Sequence, residues 1–398
     1  MKGRDIIITG LQPWDIPIGS NAIDIAREMA VENRVLYVNS ALDQMTIYRN
    51  KPTPEVKQRL EVLRKQKSPL RMVQENLWVL DFPFWVWSIN GLPDGFLFDV
   101  FNRLNNKKIF GYIRKVADEL NFKDIVHFID NDIYRSFYSK EILKPACSVY
   151  YRRDNLPPYG YWKKHAVRLE PLLIAKSDVV VCNSPQYAEH ARNFNTRSFD
   201  IGQGVDLSAY DTTLKFTVPA EIESIPSPRI GYIGDINSLR LDPDLLYELA
   251  KSKPSYSFVI IGGEDKVFAA HPLHALSNVY FPGSIAKHRV PEYMSAFDVC
   301  LNPQKLNEIT NGNYPRKVDE YLALGKPVIA TRTATMELFR DHVYLCKGLA
   351  EYQDAVEKAL AGNTPQKEQE RIRFARSHSW QNNVATIFKH IQEYLTKD

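Results

Sequence analysis

A polar loop followed by a helical pattern, in residues 307–331, contains the residue types that bind a phosphorylated ligand. Lys317 and Glu320 are three residues apart, so they share one face of a helix. The N-terminus of such a helix presents unpaired N–H groups, which favour an anion such as a diphosphate. Lys317 would contact a phosphate and Glu320 a pair of sugar hydroxyls. A solvated ion pair on a surface helix is the alternative, and the spacing alone does not decide between the two.

The sequence also indicates where this helix begins and ends. Pro315 suits the first helical turn and Gly325 suits the C-cap, which predicts a helix over about residues 315–324. The loop ahead of the helix carries small or polar side chains that could face a ligand: Thr310, Asn311 and Gly312.

Polar residues follow predicted strands in the first half of the chain. Asp130 comes directly after an apolar run at residues 125–129, and Asp154 follows the run at 148–151. Ligands of open α/β sheets bind at the carboxyl ends of strands, so both carboxylates are candidates for contacting a substrate. His127 lies inside the first run, where it is either a structural strand histidine or a catalytic one.

Two loops after predicted strands add further candidates. Residues 10–21 contain Trp14 and Gly19, and Gly234 with Arg240 follow the run at 229–233. Gly19 exposes backbone at a helix start and Arg240 carries a positive charge; a plain turn and a surface arginine are the alternatives to a ligand-binding role. Neither loop reads G-x-G-x-x-G, so the dinucleotide fingerprint is absent.

Short apolar runs alternate with helical patterns along the whole chain, which predicts two parallel sheets of the doubly wound α/β type. The expected strands are residues 6–9, 35–38, 125–129, 148–151 and 179–182, then 229–233, 258–261, 279–281, 299–301, 328–331 and 344–346. Residues 205–228 have three prolines and no period, which predicts a linker with the domain boundary near residue 215. Helical spacing of apolar residues predicts a terminal helix over 380–395.

The composition excludes several classes of protein. A chain of 398 residues with 44% hydrophobic and 25% charged residues is neither disordered nor fibrous, and its length fits two or three domains. The four cysteines form no metal-binding or disulfide pattern, which favours a reducing, cytoplasmic setting. No stretch is apolar enough to span a membrane, and the start of the chain is not expected to be a signal peptide.

The basic surplus lies in the first half, where residues 1–200 hold 29 Lys and Arg against 23 Asp and Glu. Residues 49–71 carry eight of these basic side chains, and seven aromatic residues follow in 82–101. Basic residues beside aromatic ones are attracted to an anionic membrane, which predicts peripheral contact through residues 49–101. A solvated face next to core aromatics is the alternative. No nucleic-acid-binding motif is present, so no nucleic-acid partner is expected.

Residues 315–329, PRKVDEYLALGKPVI, resemble the signature P-x-K-x-x-E-Y-x-A-x-G-x-P-V-[VI] of the group 1, family-4-like glycosyltransferases. Other segments agree with that family in the same order along the chain: SDVVVCNS at 177–184, GVD at 204–206, IGYIG at 230–234, FPG at 281–283 and AFDVCLNP at 296–303. The resemblance spans nearly the whole chain and is nearest to the branch with teichuronic-acid-type and capsule-type transferases.

The resemblance implies a GT-B fold of two Rossmann-like domains that face a cleft. Residues 1–214 would bind the acceptor, residues 215–378 the nucleotide-sugar, and the helix in 379–398 would pack back toward the first domain. The implied reaction moves a sugar, with retained configuration, from a donor that is usually UDP-linked to a hydroxyl of a glycan or lipid-linked acceptor. The implied role is cell-surface polysaccharide synthesis in the cytoplasm, at the inner face of the membrane. No cofactor besides the donor substrate is expected.

The resemblance also implies roles for the candidate residues. Glu320 would hold the ribose, and Lys317 with loop residues 310–313 would lie near the diphosphate and the sugar. The full donor set is Gly19, Gly234, Arg240, Thr310, Asn311, Gly312, Lys317 and Glu320. The catalytic set is His127, Asp130 and Lys317, and the acceptor set is Trp14, Asp130 and Asp154. No metal site is expected: Asp130-x-Asp132 resembles the D-x-D of metal-dependent GT-A enzymes, but two series of strands argue against that fold.

Two positions depart from the family pattern. The first glutamate of the usual motif falls on Gly312, with Glu308 four residues earlier, and Asp235 stands where many members have an arginine after their glycine. A GT-B scaffold that binds nucleotide-sugar without turnover is therefore a rival interpretation. A two-domain protein that binds a small ligand without chemistry is another.

Overall fold

In the computed structural model the chain forms two α/β units, and the structure describes residues 1–16, 20–49, 53–156 and 160–396. The first unit comprises Met1–Gly204 and Trp380–Asp398, and the second comprises Val205–Ser379.

The first unit has an eight-stranded sheet in the order β3-β4-β2-β1-β5-β6-β7-β8, which is parallel except that β3 runs antiparallel to β4. Its strands are β1 (Asp5–Gly10), β2 (Arg34–Val38), β3 (Leu70–Gln74), β4 (Leu77–Leu80), β5 (Val126–Asp130), β6 (Cys147–Arg152), β7 (Val179–Cys182) and β8 (Ser198–Asp200). Its helices are α1 (Asn21–Ala30), α2 (Gln44–Arg49), α3 (Pro54–Leu63), α4 (Phe96–Glu119), α5 (Ser139–Leu143), α6 (Gly160–Lys176), α7 (Pro185–Arg192) and α15 (Trp380–Leu395).

The second unit has a six-stranded parallel sheet in the order β11-β10-β9-β12-β13-β14. Its strands are β9 (Arg229–Ile233), β10 (Ser257–Ile261), β11 (Val279–Gly283), β12 (Val299–Asn302), β13 (Val328–Thr331) and β14 (Tyr344–Cys346). Its helices are α8 (Ala220–Glu223), α9 (Pro243–Ser252), α10 (Lys266–Ala269), α11 (Val290–Ser295), α12 (Arg316–Ala323), α13 (Leu349–Ala361) and α14 (Pro365–Ser377).

Alternating side chains bury both faces of each sheet, as strand geometry requires. In the first unit, Ile6 and Ile8 of β1 pack on the side of α1 and α15, while Ile7 packs on the side of α4. In the second unit, Ile233 of β9 packs on the side of α12 and Ile230 on the side of α9 and α13. Helices therefore cover both faces, and the prediction of two doubly wound α/β sheets is confirmed.

The sequence analysis missed three strands of the first unit, namely β3, β4 and β8. The strands β3 and β4 form a hairpin whose turn includes Asn76 with a φ of 60°. Both β3 and β8 are at edges of the sheet, where strands are only half-buried and lack a continuous apolar run. In the second unit all six predicted strands are present.

The chain passes from the first unit to the second after Gly204, and we call this passage the first crossing. It lies about ten residues earlier than the predicted boundary at 215. The backbone N–H of Val205 donates a 2.8 Å hydrogen bond to the carbonyl of His378, which ties this segment to the second unit. Tyr210 then packs in the same core cluster as Ile222 and Ile225. The segment that the sequence assigned to the end of the first domain is therefore part of the second unit.

The terminal helix α15 packs on the first unit. Its residues Ile387 and Ile391 are buried in the core cluster that contains Met29 of α1. A Cβ atom on Gly204 would lie 2.2 Å from the ring of Trp380, so only glycine fits under that ring. None of the helices within the described ranges has the length and apolar content needed to cross a membrane.

Candidate functional site

Two glycines with closely packed backbones shape the carboxyl end of β9. Gly234 follows β9 with a φ of 145°, and Gly262 follows β10 with a φ of 153°. A Cβ atom on Gly262 would lie 1.8 Å from the carbonyl oxygen of Gly234, so glycine is required there. The result is a bare stretch of backbone at the sheet edge where open α/β folds bind ligands.

The side chain of Lys317 extends over this bare backbone. Its Nζ would lie 2.4 Å from a Cβ atom on Gly234, and it donates a 2.5 Å hydrogen bond to the hydroxyl of Tyr232. Burial lowers the pKa of the Lys317 amine to about 7, although the carboxylate of Glu320 opposes the shift. An amine with such a pKa gains a proton readily when a phosphate binds beside it.

Glu320 lies one turn further along α12, on the same face as Lys317. The hydroxyl of Tyr210 donates a hydrogen bond to its carboxylate. Burial raises the pKa of Glu320, and the positive charges of Arg316 and Lys317 oppose that shift. The carboxylate retains lone pairs that could accept hydrogen bonds from the two hydroxyls of a ribose. Tyr210 was not predicted, because the sequence reading assigned its segment to a linker.

A buried hydrogen bond fixes the helix α12 to the strand β9. The backbone N–H of Ile233 donates to the hydroxyl of Tyr321, the residue after Glu320, at 3.1 Å. Arg240 is half-buried in the same region, close enough that its charge acts on the pKa of Lys317. The structure thus brings together four predicted donor-site residues: Gly234, Arg240, Lys317 and Glu320.

The other predicted donor residues hold their own loop in shape. Thr310 is fully buried, and its hydroxyl donates to the carbonyl of Lys305 and accepts from the N–H of Asn307. The side-chain oxygen of Asn311 accepts a 3.1 Å hydrogen bond from the N–H of Ala334. The Thr310 side chain thus faces inward, and the Asn311 side chain is hydrogen-bonded to the backbone of Ala334. The backbone of the loop is therefore the part that could contact a donor.

The two departures from the family pattern lie in different surroundings. Gly312 is buried and has no side chain, while Glu308 is exposed. Asp235, directly after Gly234, is also exposed, and its carbonyl accepts a hydrogen bond from the Tyr232 hydroxyl at 2.9 Å.

A buried cluster on the other side of α12 was not predicted from the sequence. The carboxylate of Asp319 accepts from the Tyr314 hydroxyl at 2.8 Å and pairs with Nδ1 of His378 at 2.7 Å. Burial raises the pKa of Asp319, and the contacts with His378 oppose the shift. This cluster links α12 to the segment just before the second crossing, so it positions the helix that carries Lys317 and Glu320.

In the first unit, Asp130 and Asp154 are joined by an arginine that the sequence analysis did not single out. Arg153 donates through Nε to Asp130 at 2.7 Å and through Nη1 to Asp154 at 2.6 Å. Burial raises the pKa of Asp130, and Arg153 opposes this shift. Since a Cβ atom on Gly10 would lie 3.2 Å from an Asp130 oxygen, β1 leaves room for this carboxylate. The carboxyl end of β5 therefore presents a charged cluster rather than a free carboxylate.

His127 is enclosed within the first unit. It is fully buried near the start of β5, and its Nε2 lies 3.0 Å from the Thr9 hydroxyl. Burial lowers the pKa of its imidazole to about 3, so the ring is neutral at physiological pH. These surroundings are compatible with the structural role that the sequence left open, and the catalytic role stays a prediction.

Trp14 is also engaged within the first unit. Its ring packs edge-on against Tyr37 with centroids 5.2 Å apart, and its backbone N–H donates to Asn39. It is half-buried, so part of the ring is available for contact with a sugar. Gly19, the remaining predicted donor residue, lies outside the described residues.

The structure reveals a cavity of about 530 Å³ in the first unit that the sequence did not indicate. Loops that follow β2, β4 and β5 form its walls, with Asp43, Trp87 and Arg135 among the lining residues. Burial raises the pKa of Asp43, but hydrogen bonds from Thr46 and Ser88 outweigh this effect and lower it, which keeps the carboxylate ionised. A carboxylate, an arginine and a tryptophan in one cavity match the hydrogen-bonding and apolar faces of a sugar.

Within the described part of the chain, no three His, Cys, Asp or Glu side chains group closely enough to hold a metal ion. The four cysteines are free and buried.

Comparisons with known proteins found a matching family model, a related curated protein and similar solved structures. The family model described as glycosyl transferases group 1 matches residues 227–362, which contain β9 and α12. The putative teichuronic acid biosynthesis glycosyltransferase TuaH of Bacillus subtilis (strain 168) is 25% identical over 233 residues. That match covers 56% of this chain and 57% of the relative, so it spans little more than half of either protein.

Solved structures resemble the whole chain in fold. Sucrose-phosphate synthase from Thermosynechococcus elongatus has a TM-score of 0.66 at 14% identity, covering 99% of this chain and all of that one. Anabaena HepE, solved in complex with UDP, has a TM-score of 0.66 at 16% identity, with both chains covered completely.

Proposed function

We propose that this chain, whose residues 227–362 match the family model described as glycosyl transferases group 1, transfers a sugar from a nucleotide-sugar to an acceptor hydroxyl, with UDP as the leaving group. One observation carries the proposal: the Lys317 amine extends over the bare backbone of Gly234, with Glu320 on the same face of α12. A cation beside exposed backbone accommodates a diphosphate, and a carboxylate one turn away accommodates a ribose.

The proposed chemistry consists of positioning and leaving-group stabilisation. When the bond between the sugar and the diphosphate breaks, negative charge develops on the diphosphate oxygens. Lys317 and Arg240 would stabilise that charge, and a preorganised cation of this kind contributes most in a site that excludes water. We propose retention of the anomeric configuration, which the resemblance to the family supports, and a transfer that proceeds in the presence of a metal chelator.

The proposed acceptor is a glycan or a lipid-linked sugar bound by the first unit. The cavity lined by Asp43, Trp87 and Arg135 supports this assignment, and the cluster around Asp130 and Asp154 lies at the carboxyl end of the same sheet. The name of the Bacillus subtilis relative refers to teichuronic acid biosynthesis, which supports cell-surface polysaccharide synthesis as the process. A cytoplasmic enzyme in contact with the inner face of the membrane would meet such an acceptor.

Calorimetric binding of a nucleotide panel (UDP, GDP, ADP and CMP), with and without a chelator, tests the donor site. We expect UDP to bind in both conditions. Replacing Glu320 by alanine should weaken UDP binding by about tenfold or more, because the ribose loses a charged hydrogen-bond partner. Glu248→Ala, on an exposed position of α9 in the same unit, is the matched control and should bind UDP like the wild type. Unchanged UDP affinity of Glu320→Ala would contradict the assigned role.

A non-catalytic scaffold is the second candidate, favoured by the absence of a side chain at Gly312, where the family motif has a glutamate. The discriminating measurement is release of UDP from UDP-sugars with a panel of sugar acceptors. Binding of the nucleotide-sugar with neither hydrolysis nor transfer would favour the scaffold, and transfer would favour the enzyme.

A further inference from the structure

We propose that the exposed face of α4, together with Trp85 and Trp87, docks on a lipid bilayer that contains anionic headgroups. This surface would be the part of the protein that makes the membrane contact named in the proposed function. The purpose of the docking rests on that function, whereas the docking itself does not. We define the α4 face as the side chains Phe96, Leu97, Val100 and Leu104.

The α4 face is apolar and open to solvent. Phe96 is 83% exposed and Leu104 is 49% exposed, and Leu97 and Val100 are also exposed. Phe96, Val100 and Leu104 follow one another at four-residue spacing, so they form one stripe along the first three turns of the helix. Contiguous exposed apolar side chains on a helix mark an interaction site.

The two tryptophans extend this stripe beyond the helix. The rings of Trp85 and Trp87 are in edge contact with centroids 5.3 Å apart, and Trp87 lies 5.7 Å from the ring of Phe101, which is between Leu97 and Leu104 in the chain. Both tryptophans are exposed over more than a third of their surface. Tryptophan is enriched at membrane interfaces because its ring is apolar with a polar edge.

Basic side chains border the apolar stripe, and the two acidic residues near its start share one arginine. Arg103, Lys107 and Lys108 are exposed on the next turns of α4, and the Lys108 amine lies 5.2 Å from the ring of Trp85. The acidic residues near the start of the helix, Asp94 and Asp99, are both paired with Arg168 at 2.8 Å.

This combination favours a lipid surface over a protein partner. Lysine is depleted at protein interfaces, whereas an apolar helix face bordered by lysine and arginine is typical of helices that lie in the headgroup region of anionic membranes. Each basic residue near such a surface adds to the attraction. The long stems of Lys107 and Lys108 can follow the apolar surface while their amines reach the headgroups.

The structure also relocates the surface that the sequence predicted within residues 49–101. Phe82 and Phe98 are core residues, and only part of the aromatic cluster is exposed. The docking surface instead continues along α4 to Arg103, Lys107 and Lys108. Trp87 lines the 530 Å³ cavity as well, so the proposed acceptor cavity opens beside the proposed membrane contact.

Co-sedimentation of the full chain with vesicles tests the proposal. We expect binding to vesicles of phosphatidylglycerol mixed with phosphatidylcholine and little binding to phosphatidylcholine alone. The double variant Phe96→Ser/Leu104→Ser should bind at least about tenfold more weakly, because two large apolar side chains no longer enter the lipid. Arg103→Glu/Lys107→Glu should lose about fivefold or more per reversed charge, and only on the anionic vesicles.

Matched controls lie on the second unit and on α15. Val267→Ser removes an apolar side chain that is 55% exposed on α10, and Lys389→Glu reverses an exposed charge on α15; both should bind vesicles like the wild type. Unchanged melting temperatures would establish that all four variants are folded. Equal vesicle binding by the α4 variants and the controls would overturn the proposal. Failure of the wild type to bind anionic vesicles would overturn it too.

Two further measurements separate this proposal from its alternatives. If the wild type is a dimer in solution that Phe96→Ser/Leu104→Ser converts to a monomer, and vesicles are not bound, the face is an interface between two copies and the lipid proposal is wrong. UDP calorimetry on the same variants separates the lipid surface from the donor site. Vesicle docking without UDP binding overturns only the donor site, and UDP binding without docking overturns only the lipid surface.

Discussion

At the scale of single residues, the charge of the Lys317 amine determines how the candidate donor site meets a phosphate. With a pKa lowered to about 7 by burial, the amine is mostly protonated below pH 7 and mostly neutral above it in the free protein. A bound diphosphate favours the protonated form and raises this pKa in the complex. Nucleotide binding above pH 7 must therefore take up a proton.

The pH dependence of UDP affinity follows from that proton uptake. Between about pH 7 and pH 9 the affinity is expected to fall by up to about tenfold per pH unit, because the amine must be protonated at increasing cost. Calorimetry in buffers of different ionisation enthalpy measures the uptake directly. Lys317→Arg keeps its charge over this range and should give a flat profile. A slope in the arginine variant equal to that of the wild type would exclude Lys317 as its origin.

The sequence could predict that residues lie together where their spacing along the chain sets which of them are neighbours. Lys317 and Glu320 share a face because one helix carries both, and Gly234 follows a strand directly. The partners brought in by tertiary packing could not be predicted. Tyr210 reaches Glu320 from a segment that resembled a linker, and Arg153 holds Asp130 and Asp154 together although nothing in its sequence context marks it.

At the scale of elements, α12 is positioned by the buried Asp319 on the side away from Lys317. Asp319→Ala would leave the Tyr314 hydroxyl and the His378 ring without their shared acceptor, so we expect a loss of about 2–4 kcal/mol in unfolding free energy. Chemical denaturation of the full chain measures it. Asp244→Ala is the matched control, because Asp244 also pairs with a histidine, His271, but is highly exposed; its effect should stay below about 0.5 kcal/mol.

The same variant tests whether the cluster positions the donor site. If α12 loses its orientation, Asp319→Ala should also weaken UDP binding at temperatures where the protein remains folded, with no change in the pH slope that Lys317 produces. A variant that is less stable but binds UDP like the wild type would show that the cluster contributes to stability alone.

Strands with apolar runs were predictable, and the edge strands β3 and β8, which lack such runs, were not. All six strands of the second unit were found from the sequence. The inner strands β9, β10, β12 and β13 are mostly buried, and the half-buried edge strands β11 and β14 still begin with apolar residues. The strands β3 and β8 are at sheet edges, where only part of each residue is covered and polar residues such as Arg71 and Gln74 are tolerated. Their positions are set by the neighbouring strand rather than by their own residues.

At the scale of the whole molecule, the chain leaves the first unit after Gly204 and returns to it at Trp380. The first unit is therefore built from two separate parts of the sequence, and α15 completes its core through Ile387, which is fully buried. The sequence predicted the helix from its apolar spacing. It did not locate the first crossing correctly, since the proline-containing segment after residue 205 has little regular structure of its own.

This arrangement predicts that a change in α15 destabilises one unit and spares the donor site. Ile387→Ala should lower the unfolding free energy of the first unit by about 2–5 kcal/mol, because it leaves a cavity between α15, α1 and the sheet. Scanning calorimetry should show one transition shifted to lower temperature. UDP should still raise the other transition, since Gly234, Arg240, Lys317 and Glu320 all belong to the second unit. Lys389→Ala, exposed on the same helix, is the control. A single transition that shifts as a whole would mean that the units unfold together, and the stability of the donor unit would then depend on α15.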